Sequence, residues 1–167
     1  MLKGQKPMET PFSREQDTIF MKKALVQAKM AYAADEVPVG AVVVDAQGTV
    51  IGRGYNQVER RHTQAAHAEV LAINAAGRKL SDWRLNGCWL YVTLEPCGMC
   101  MNLAVLSRLE GVVFGARSPL FGYQLDKDLN FQLYKLGALS VVEGICAEEA
   151  AALLKDFFRL KRGEKAS

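Results

Sequence analysis

The stretch TLEPCGMCMN, residues 93–102, carries the chain from a predicted buried strand into a predicted helix and contains two closely spaced cysteines. Cys97 and Cys100 are separated by two residues and follow Pro96, whose ring suits the first turn of a helix. A Cys-x-x-Cys pair can be a redox centre, half of a zinc site, or two small core residues. The rest of the sequence must decide among these three interpretations.

The composition of the chain is that of an ordinary globular protein. Its 167 residues are 50% hydrophobic and 23% charged, and the net charge of +3 permits a polyanionic partner without requiring one. We assign residues 13–162 to a single domain, residues 1–12 to a frayed lead-in and residues 163–167 to a tail. No apolar run is long enough to cross a bilayer and the N-terminus lacks the apolar block of a signal peptide, so we expect a cytoplasmic protein. In that compartment, paired cysteines indicate metal binding or catalysis more often than disulfides.

The order of the predicted elements indicates the fold class. Residues 13–16 form a capping box that begins a helix ending near Asp35. A β-branched run at 39–44, a turn at 46–48 and a returning strand at 49–56 predict a hairpin. The other predicted elements are helices at 65–76 (closed by Gly77), from Pro96 onward, at 129–136 and at 147–160, and strands at 89–94, 111–115 and 138–142. Strands that alternate with helices predict a layered α/β domain with a mixed sheet.

A second motif, His67-Ala68-Glu69, opens the alanine-rich helix and supplies what Cys97 and Cys100 lack. Together these residues offer one imidazole and two thiolates, a donor set that favours zinc. Structural zinc sites are usually closed by four protein ligands, whereas catalytic sites keep one position open for water. Three ligands without an obvious fourth therefore predict a catalytic zinc site, with a redox pair or a structural zinc as the alternatives.

Glu69 has a natural function beside such a metal. Zinc lowers the pKa of a coordinated water, and a nearby carboxylate can take the proton and return it to another atom. The pattern H-x-E followed by P-C-x-x-C is the signature of zinc-dependent base deaminases. Either half alone is weak evidence, but both halves at predicted helix starts form a specific signal.

On these motifs the chain resembles the cytidine deaminase superfamily, and within it the bacterial tRNA-specific adenosine deaminases. The stretches that carry the resemblance lie between about Ser13 and Arg162: DEVPVGAVVV, GRGYN, AHAEVLA, WRLNGCWLYVTLEPCGMC, GVVFGAR and ALLKDFFRLKR. The resemblance implies a three-layer α/β/α fold with a five-stranded mixed sheet. It also implies hydrolytic conversion of adenosine to inosine at the tRNA wobble position, in a homodimer that binds the anticodon stem-loop.

The same resemblance assigns roles to particular residues. It implies one Zn²⁺ per subunit, bound by His67, Cys97 and Cys100, with Glu69 as the proton carrier. The residues expected at the substrate are Asn56, Ala68, Val39 and Ser118, and the residues expected to contact RNA are Arg61, His62, Arg117, Arg159 and Arg162.

The sequence also departs from the family in two segments. His62-Thr63-Gln64-Ala65 replaces an Asp-Pro-Thr type of segment, and after Arg117 the usual aspartate and Lys/Gly-rich loop are replaced by Ser118 and PLFGYQLDKD. This second difference supports an alternative substrate, a free nucleobase or nucleoside such as guanine, cytosine or a modified purine. A zinc-stabilised RNA-binding subunit without catalysis is a third hypothesis, against which the intact Glu69 argues.

Several residues near these motifs receive simpler interpretations. Glu95 is expected to shape the entry to the helix or to line the pocket through its backbone. Phe121 and Tyr123 are candidates for stacking on bases, whereas Trp83 is expected to pack. Cys88 and Cys146 are predicted to be small core residues.

Overall fold

In the computed structural model, which describes residues 9–125 and 139–166, five strands form one mixed sheet in the order β2-β1-β3-β4-β5. Strand β1 pairs antiparallel with β2 and β3, while β3, β4 and β5 run parallel. The strands are β1 (Gly40–Val44), β2 (Val50–Tyr55), β3 (Trp89–Leu94), β4 (Gly111–Ala116) and β5 (Ser140–Glu143). The helices are α1 (Arg14–Ala33), α2 (Val58–Arg61), α3 (Ala68–Leu80), α4 (Gly98–Leu106) and α5 (Ala147–Ala166).

Helices cover both faces of this sheet, which explains why its central strands are apolar without alternation. Strand β1 (GAVVV) is buried at every position, as expected when both faces of a strand are covered. On one face, Val43 and Leu90 pack with Ala72 of α3 and Ala104 of α4. On the other face, α1 packs on alternate residues of the same strands, and α5 contacts β4 and α1. The predicted three-layer α/β/α fold with a five-stranded mixed sheet is therefore confirmed.

Two glycines of β2 allow α3 to lie directly on the sheet. A Cβ atom at Gly54 would lie 2.4 Å from the carbonyl oxygen of Ala68, and one at Gly52 would lie 2.2 Å from that of Ala72. Real Cβ atoms do not approach backbone so closely, so any side chain here would push the helix away. The GRG sequence of β2 thus fixes the height of the α3 N-terminus above the sheet.

The boundaries of α3 and α4 differ from those predicted. Residues Gln64–Ala66 form a separate 3-10 turn, and α3 begins only after His67, whose extended backbone makes it the N-cap. The helix continues through Gly77 and ends at Ser81, which takes the left-handed conformation with φ of 54°. Cys97 likewise precedes α4 as its N-cap. The helical pattern could not locate these ends because they depend on single backbone conformations.

The remaining predictions concern the ends of the domain. The capping box of Ser13 and Gln16 is present at the start of α1. The last helix extends beyond the predicted Leu160 to Ala166, so most of the expected tail is helical. The predicted helix at 129–136 lies outside the described residues. Within the described ranges, no helix has the length and apolar character needed to cross a membrane.

Candidate metal centre and substrate cavity

The described residues include one cluster of three side chains with the donors and spacing of a metal site. Nδ1 of His67 lies 3.7 Å from Sγ of Cys97 and 3.5 Å from Sγ of Cys100, and all three ligand atoms lie within 4.8 Å of one another. His67 comes from the N-cap of α3, Cys97 from the N-cap of α4 and Cys100 from its first turn. The two predicted half-motifs therefore meet at the N-termini of two neighbouring helices.

The spacing of these atoms fits zinc. Zn–N and Zn–S bonds of about 2.0 and 2.3 Å at a tetrahedral angle place nitrogen and sulfur about 3.5 Å apart, close to the two observed separations. One imidazole and two thiols are also the soft donors that zinc prefers. The predicted ligand set thus suits one zinc ion, and three protein ligands leave a fourth position for water or substrate.

The imidazole of His67 is oriented by a neighbour that the sequence did not reveal. Its Nε2 lies 2.9 Å from Oε1 of Gln64 in the 3-10 turn, a contact that suits the tautomer with the proton on Nε2, and its Nδ1 faces the two sulfur atoms. Metal-binding histidines usually have such a partner, which fixes the ring and its tautomer. Gln64 belongs to the segment in which the sequence departs from its family.

Hydrogen bonds within the cluster favour negative charge on Sγ of Cys97, whereas donation to Cys97 and burial raise the pKa of the Cys100 thiol. Hydrogen bonding from Cys100, assisted by His67, lowers the pKa of the Cys97 thiol to about 4. The free N–H groups at a helix N-terminus act in the same direction. Cys97 is therefore ready to bind a cation as a thiolate.

Glu69 lies in the first turn of α3 and is only 4% exposed. Burial raises the pKa of its carboxyl above the ordinary value. A carboxyl whose pKa is raised accepts and releases a proton more readily near neutral pH. Its position beside the cluster, without being one of the three ligand atoms, is the position predicted for a proton carrier.

A cavity of about 470 Å³ opens at the cluster and is lined by His67, Glu69 and Cys97. This volume lies within the usual range for sites that bind small molecules or single bases. The other lining residues are Glu36, Val37, Val39, Asn56, Val58, Glu59, Gln64, Ala68, Leu94, Glu95, Met99, Ser118 and Phe121. All four residues expected at the substrate (Asn56, Ala68, Val39 and Ser118) are in this set.

Asn56 also holds the wall of the cavity together. Its side-chain amide donates to the carbonyl of Val37 at 3.1 Å, and its Oδ1 accepts from the N–H of Val58 at 3.3 Å. Its own backbone N–H donates to Val39. The amide therefore has structural partners in addition to the substrate contact that the resemblance implies.

The five basic residues expected to contact RNA occupy two different parts of the surface. Arg61 and His62 follow the cavity-lining residues of α2, and Arg117 directly precedes Ser118. Arg159 and Arg162 lie on α5, and Arg159 forms an exposed ion pair with Asp156 at 2.7 Å. Lys161 of the same helix contacts Asp35 at 2.6 Å, which brings α5 beside the segment that leads into Glu36 and Val37.

The aromatic residues of the divergent segment have different environments. Phe121 is 77% exposed and lines the cavity. Tyr123 is 5% exposed and packs edge-on against Phe114, with ring centroids 6.4 Å apart, so it is a core residue and the expectation that it stacks on a base was wrong. Trp83 is 55% exposed, and its ring packs under the guanidinium of Arg84, whose central carbon lies 4.4 Å from the ring centroid. Cys88 is buried, as predicted, and Cys146 is half-buried.

Comparison with known proteins agrees with this site. The model of the cytidine and deoxycytidylate deaminase zinc-binding region matches residues 14–116. A tRNA-specific adenosine deaminase of Bacillus subtilis (strain 168) is 45% identical over 152 residues, which are 90% of this chain and 93% of that protein. The chain therefore belongs to the cytidine deaminase superfamily, as its motifs predicted.

Solved structures with the same fold act on different bases. One, from work on A-to-I editing by tRNA:A34 deaminases at the wobble position of transfer RNA, aligns with a TM-score of 0.74 and 37% identity. The alignment covers 82% of this chain and 99% of that chain. A guanine deaminase from Nitrosomonas europaea aligns with a TM-score of 0.70 and 25% identity, over 94% of this chain and 96% of that one.

Proposed function

We propose that this protein is a zinc-dependent hydrolytic deaminase that converts adenosine to inosine at the wobble position of tRNA. The observation that carries the proposal is the match to the B. subtilis tRNA-specific adenosine deaminase over 90% of the chain. The metal ligands and the buried Glu69 beside a base-sized cavity are consistent with it. In the reaction, water adds to C6 of adenine and ammonia leaves.

The residues around the cavity divide the chemistry between them. His67, Cys97 and Cys100 would hold the zinc ion, which would supply a water-derived nucleophile at neutral pH. Glu69 takes the proton of that water and returns it to the departing amino group. Asn56 and the backbone N–H of Ala68 orient the base, and Val39 and Ser118 form walls against which it rests.

The substrate base must reach this cavity from outside, which favours an unpaired nucleotide. Bases in single-stranded loops are already unstacked, so an enzyme captures them at a lower free-energy cost than bases in a duplex. Arg61, His62 and Arg117 lie within a few residues of the cavity-lining residues Glu59 and Ser118 in the sequence, and Arg159 and Arg162 add positive charge on α5. Contacts between these groups and phosphates would make binding weaken as the salt concentration rises.

We further propose that the domain of residues 13–162 functions as a homodimer in the cytoplasm, where tRNA is processed. Met99 and Leu106, which are seven residues apart and so lie on one face of α4, are 45% and 56% exposed. A second copy would cover this face. Light scattering after gel filtration measures the mass, and a monomer at micromolar concentration would contradict this part of the proposal.

The decisive experiment measures inosine formation in an anticodon stem-loop of arginine tRNA that contains adenosine at the wobble position. Free adenine, adenosine, cytosine and guanine are assayed beside it for ammonia release. Turnover of the stem-loop alone is the expected result. Turnover of a free base with the stem-loop unchanged would overturn the proposal and favour the second candidate.

That second candidate is a deaminase of free purines with the same zinc chemistry. The alignment with the guanine deaminase over 94% of this chain supports it, as does the altered sequence after Arg117. In that case, residues 118–125 would close over a free base instead of bordering an RNA loop.

A further inference from the structure

Two buried glutamates, Glu36 and Glu95, line the cavity in addition to Glu69. Their side chains are 1% and 5% exposed, although neither belongs to the metal cluster. Burying a carboxylate is unfavourable unless hydrogen bonds replace the lost water. The partners of these two side chains therefore indicate what they do.

Glu95 uses both carboxylate oxygens to hold the segment that follows β4. Oε2 accepts from the backbone N–H of Ser118 at 2.9 Å, and Oε1 accepts from that of Gln124 at 3.2 Å. Between these two bonds lies Phe121, the exposed ring at the cavity. Glu95 itself is two residues before Cys97 and is tied to β4 through its N–H, which donates to Ala116 at 2.7 Å. The segment is thus fastened to the same strand-to-helix junction that supplies a metal ligand.

Glu36 does the same on another part of the wall. Its Oε1 accepts from the N–H of Arg60 at 2.7 Å, and its Oε2 accepts from that of Glu59 at 3.1 Å. These donors are in α2, whose four residues have no side-chain cap. The carboxylate therefore takes the place of a cap and holds α2, with Val58 and Glu59, against the cavity.

We propose that Glu36 and Glu95 are positioning residues that hold two segments of the cavity rim, α2 and residues 118–124, at the height of the substrate base. Both oxygens of each carboxylate accept a hydrogen bond from a backbone donor, which directs each side chain toward its rim segment. The effect on substrate binding rests on the proposed function, whereas the positioning of the two rim segments does not.

Gly122 supports this assignment from the opposite side of the contact. A Cβ atom at Gly122 would lie 2.4 Å from the carboxylate carbon of Glu95. The segment therefore approaches Glu95 so closely that a side chain at residue 122 would displace the carboxylate from its present position. The substitution Gly122→Ala should disturb the contact while leaving the glutamate in the chain.

The test compares Glu95→Gln with Glu36→Gln by backbone hydrogen exchange. A glutamine keeps one acceptor oxygen but turns an NH₂ group toward the second backbone donor, which then loses its partner. In Glu95→Gln, we expect amide exchange to become about tenfold faster in residues 117–125 and to stay unchanged in residues 57–62. In Glu36→Gln, we expect faster exchange in residues 57–62 and no change in residues 117–125. Gly122→Ala should reproduce the pattern of Glu95→Gln. Zinc content should remain that of the wild type in all three.

Kinetics on whichever substrate is turned over provide the second measurement. KM should rise about tenfold in each glutamine variant, and more than kcat falls, because the rim binds the base and does not carry the proton. The matched control is Glu148→Gln, which removes the same charge from an exposed position of α5.

Two hydrogen-exchange results would overturn the proposal, and so would one kinetic result. One is unchanged exchange in both rim segments; the other is equal acceleration throughout the protein, which would mean general destabilisation. Loss of kcat at constant KM would assign these glutamates to proton transfer instead. If the stem-loop is not a substrate, the exchange pattern still tests whether Glu36 and Glu95 hold the rim segments. The proposed function and the positioning role can therefore fail separately.

Discussion

The metal centre and the rim of the cavity lie side by side, yet different contacts hold them in place. The metal ligands and Glu69 belong to helix N-termini that lie directly on the sheet, and Gly52 and Gly54 set the distance. The rim consists of short segments outside the sheet, which are held by hydrogen bonds to Glu36 and Glu95. Residues 118–124 have one further contact, the packing of Tyr123 against Phe114 of β4. The metal centre is therefore positioned by close packing of backbone on the sheet, whereas the rim is positioned mainly by polar contacts.

This difference suggests that the two regions can change independently. A side-chain substitution in the rim leaves the backbone hydrogen bonds to Glu36 and Glu95 available, and the sheet does not have to move. A substitution under α3 moves the helix that carries His67 and Glu69. Divergence after Arg117 is consistent with this division, since the unusual segment is part of the rim while the metal motif is intact.

The largest effect is expected from Glu69→Gln, which leaves the metal site and removes only the proton carrier. We expect kcat to fall about 10²–10⁴-fold, the usual contribution of general acid–base catalysis. Zinc content, measured by mass spectrometry of the metal, should stay at one ion per subunit. If the variant kept more than a tenth of wild-type kcat, Glu69 would not be the proton carrier.

The next largest effect is expected at Gly54, which lies beneath the N-terminus of α3 and so sets the position of the metal centre. Gly54→Ala places a methyl group against the carbonyl of Ala68, and overpacking of this kind destabilises proteins by about 1–3 kcal/mol. Thermal unfolding should show a lower Tm, and zinc should be lost at lower chelator concentrations than in the wild type. Arg53→Ala is the matched control, because residue 53 is exposed between the two glycines. Equal Tm values for both variants would contradict the role assigned to the close approach.

Much of the metal centre could be predicted because its signals are local. The two short motifs contain His67, Glu69, Cys97 and Cys100, and the apolar runs around them predicted the strands. The anchors of the rim carry no such signal. Glu36 and Glu95 bind backbone groups that are 23 to 29 residues away along the chain, and any residue type offers a backbone N–H. The burial of Tyr123 was missed for a related reason, since its partner Phe114 belongs to a strand whose neighbours only the fold defines.

A smaller effect, confined to the rim, is expected from Phe121→Ala. Stacking of a base on an aromatic ring contributes about 1–3 kcal/mol, so kcat/KM on the stem-loop should fall about 5- to 150-fold. Tm should not change, because the ring is 77% exposed. Leu120→Ala provides the control, since Leu120 is equally exposed but does not line the cavity. Similar losses in both variants would show that the segment acts through its general apolar character.

The smallest effect is expected at the contact between α1 and α5. Helix α1 ends three residues before Glu36, so this contact is close in sequence to one anchor of the rim. The hydroxyl of Tyr32 donates to Asp156 at 2.6 Å, and this bond, with help from Arg159, lowers the pKa of the Asp156 carboxyl. The carboxylate therefore stabilises the folded state at pH values above the unfolded pKa of about 3.9. This stabilisation is lost as the pH falls through the lower pKa of the folded protein.

The variant Asp156→Asn should consequently have a slightly lower Tm than the wild type at pH 7, and the two values should converge as the pH falls below about 4. Tyr32→Phe removes the bond that lowers the pKa most and should give a similar convergence. Scanning fluorimetry between pH 7 and pH 3 measures both curves. Parallel curves over the whole range would show that the contact contributes nothing through its charge. A change in kcat/KM at pH 7 would instead show that the anchoring of the rim extends to α5.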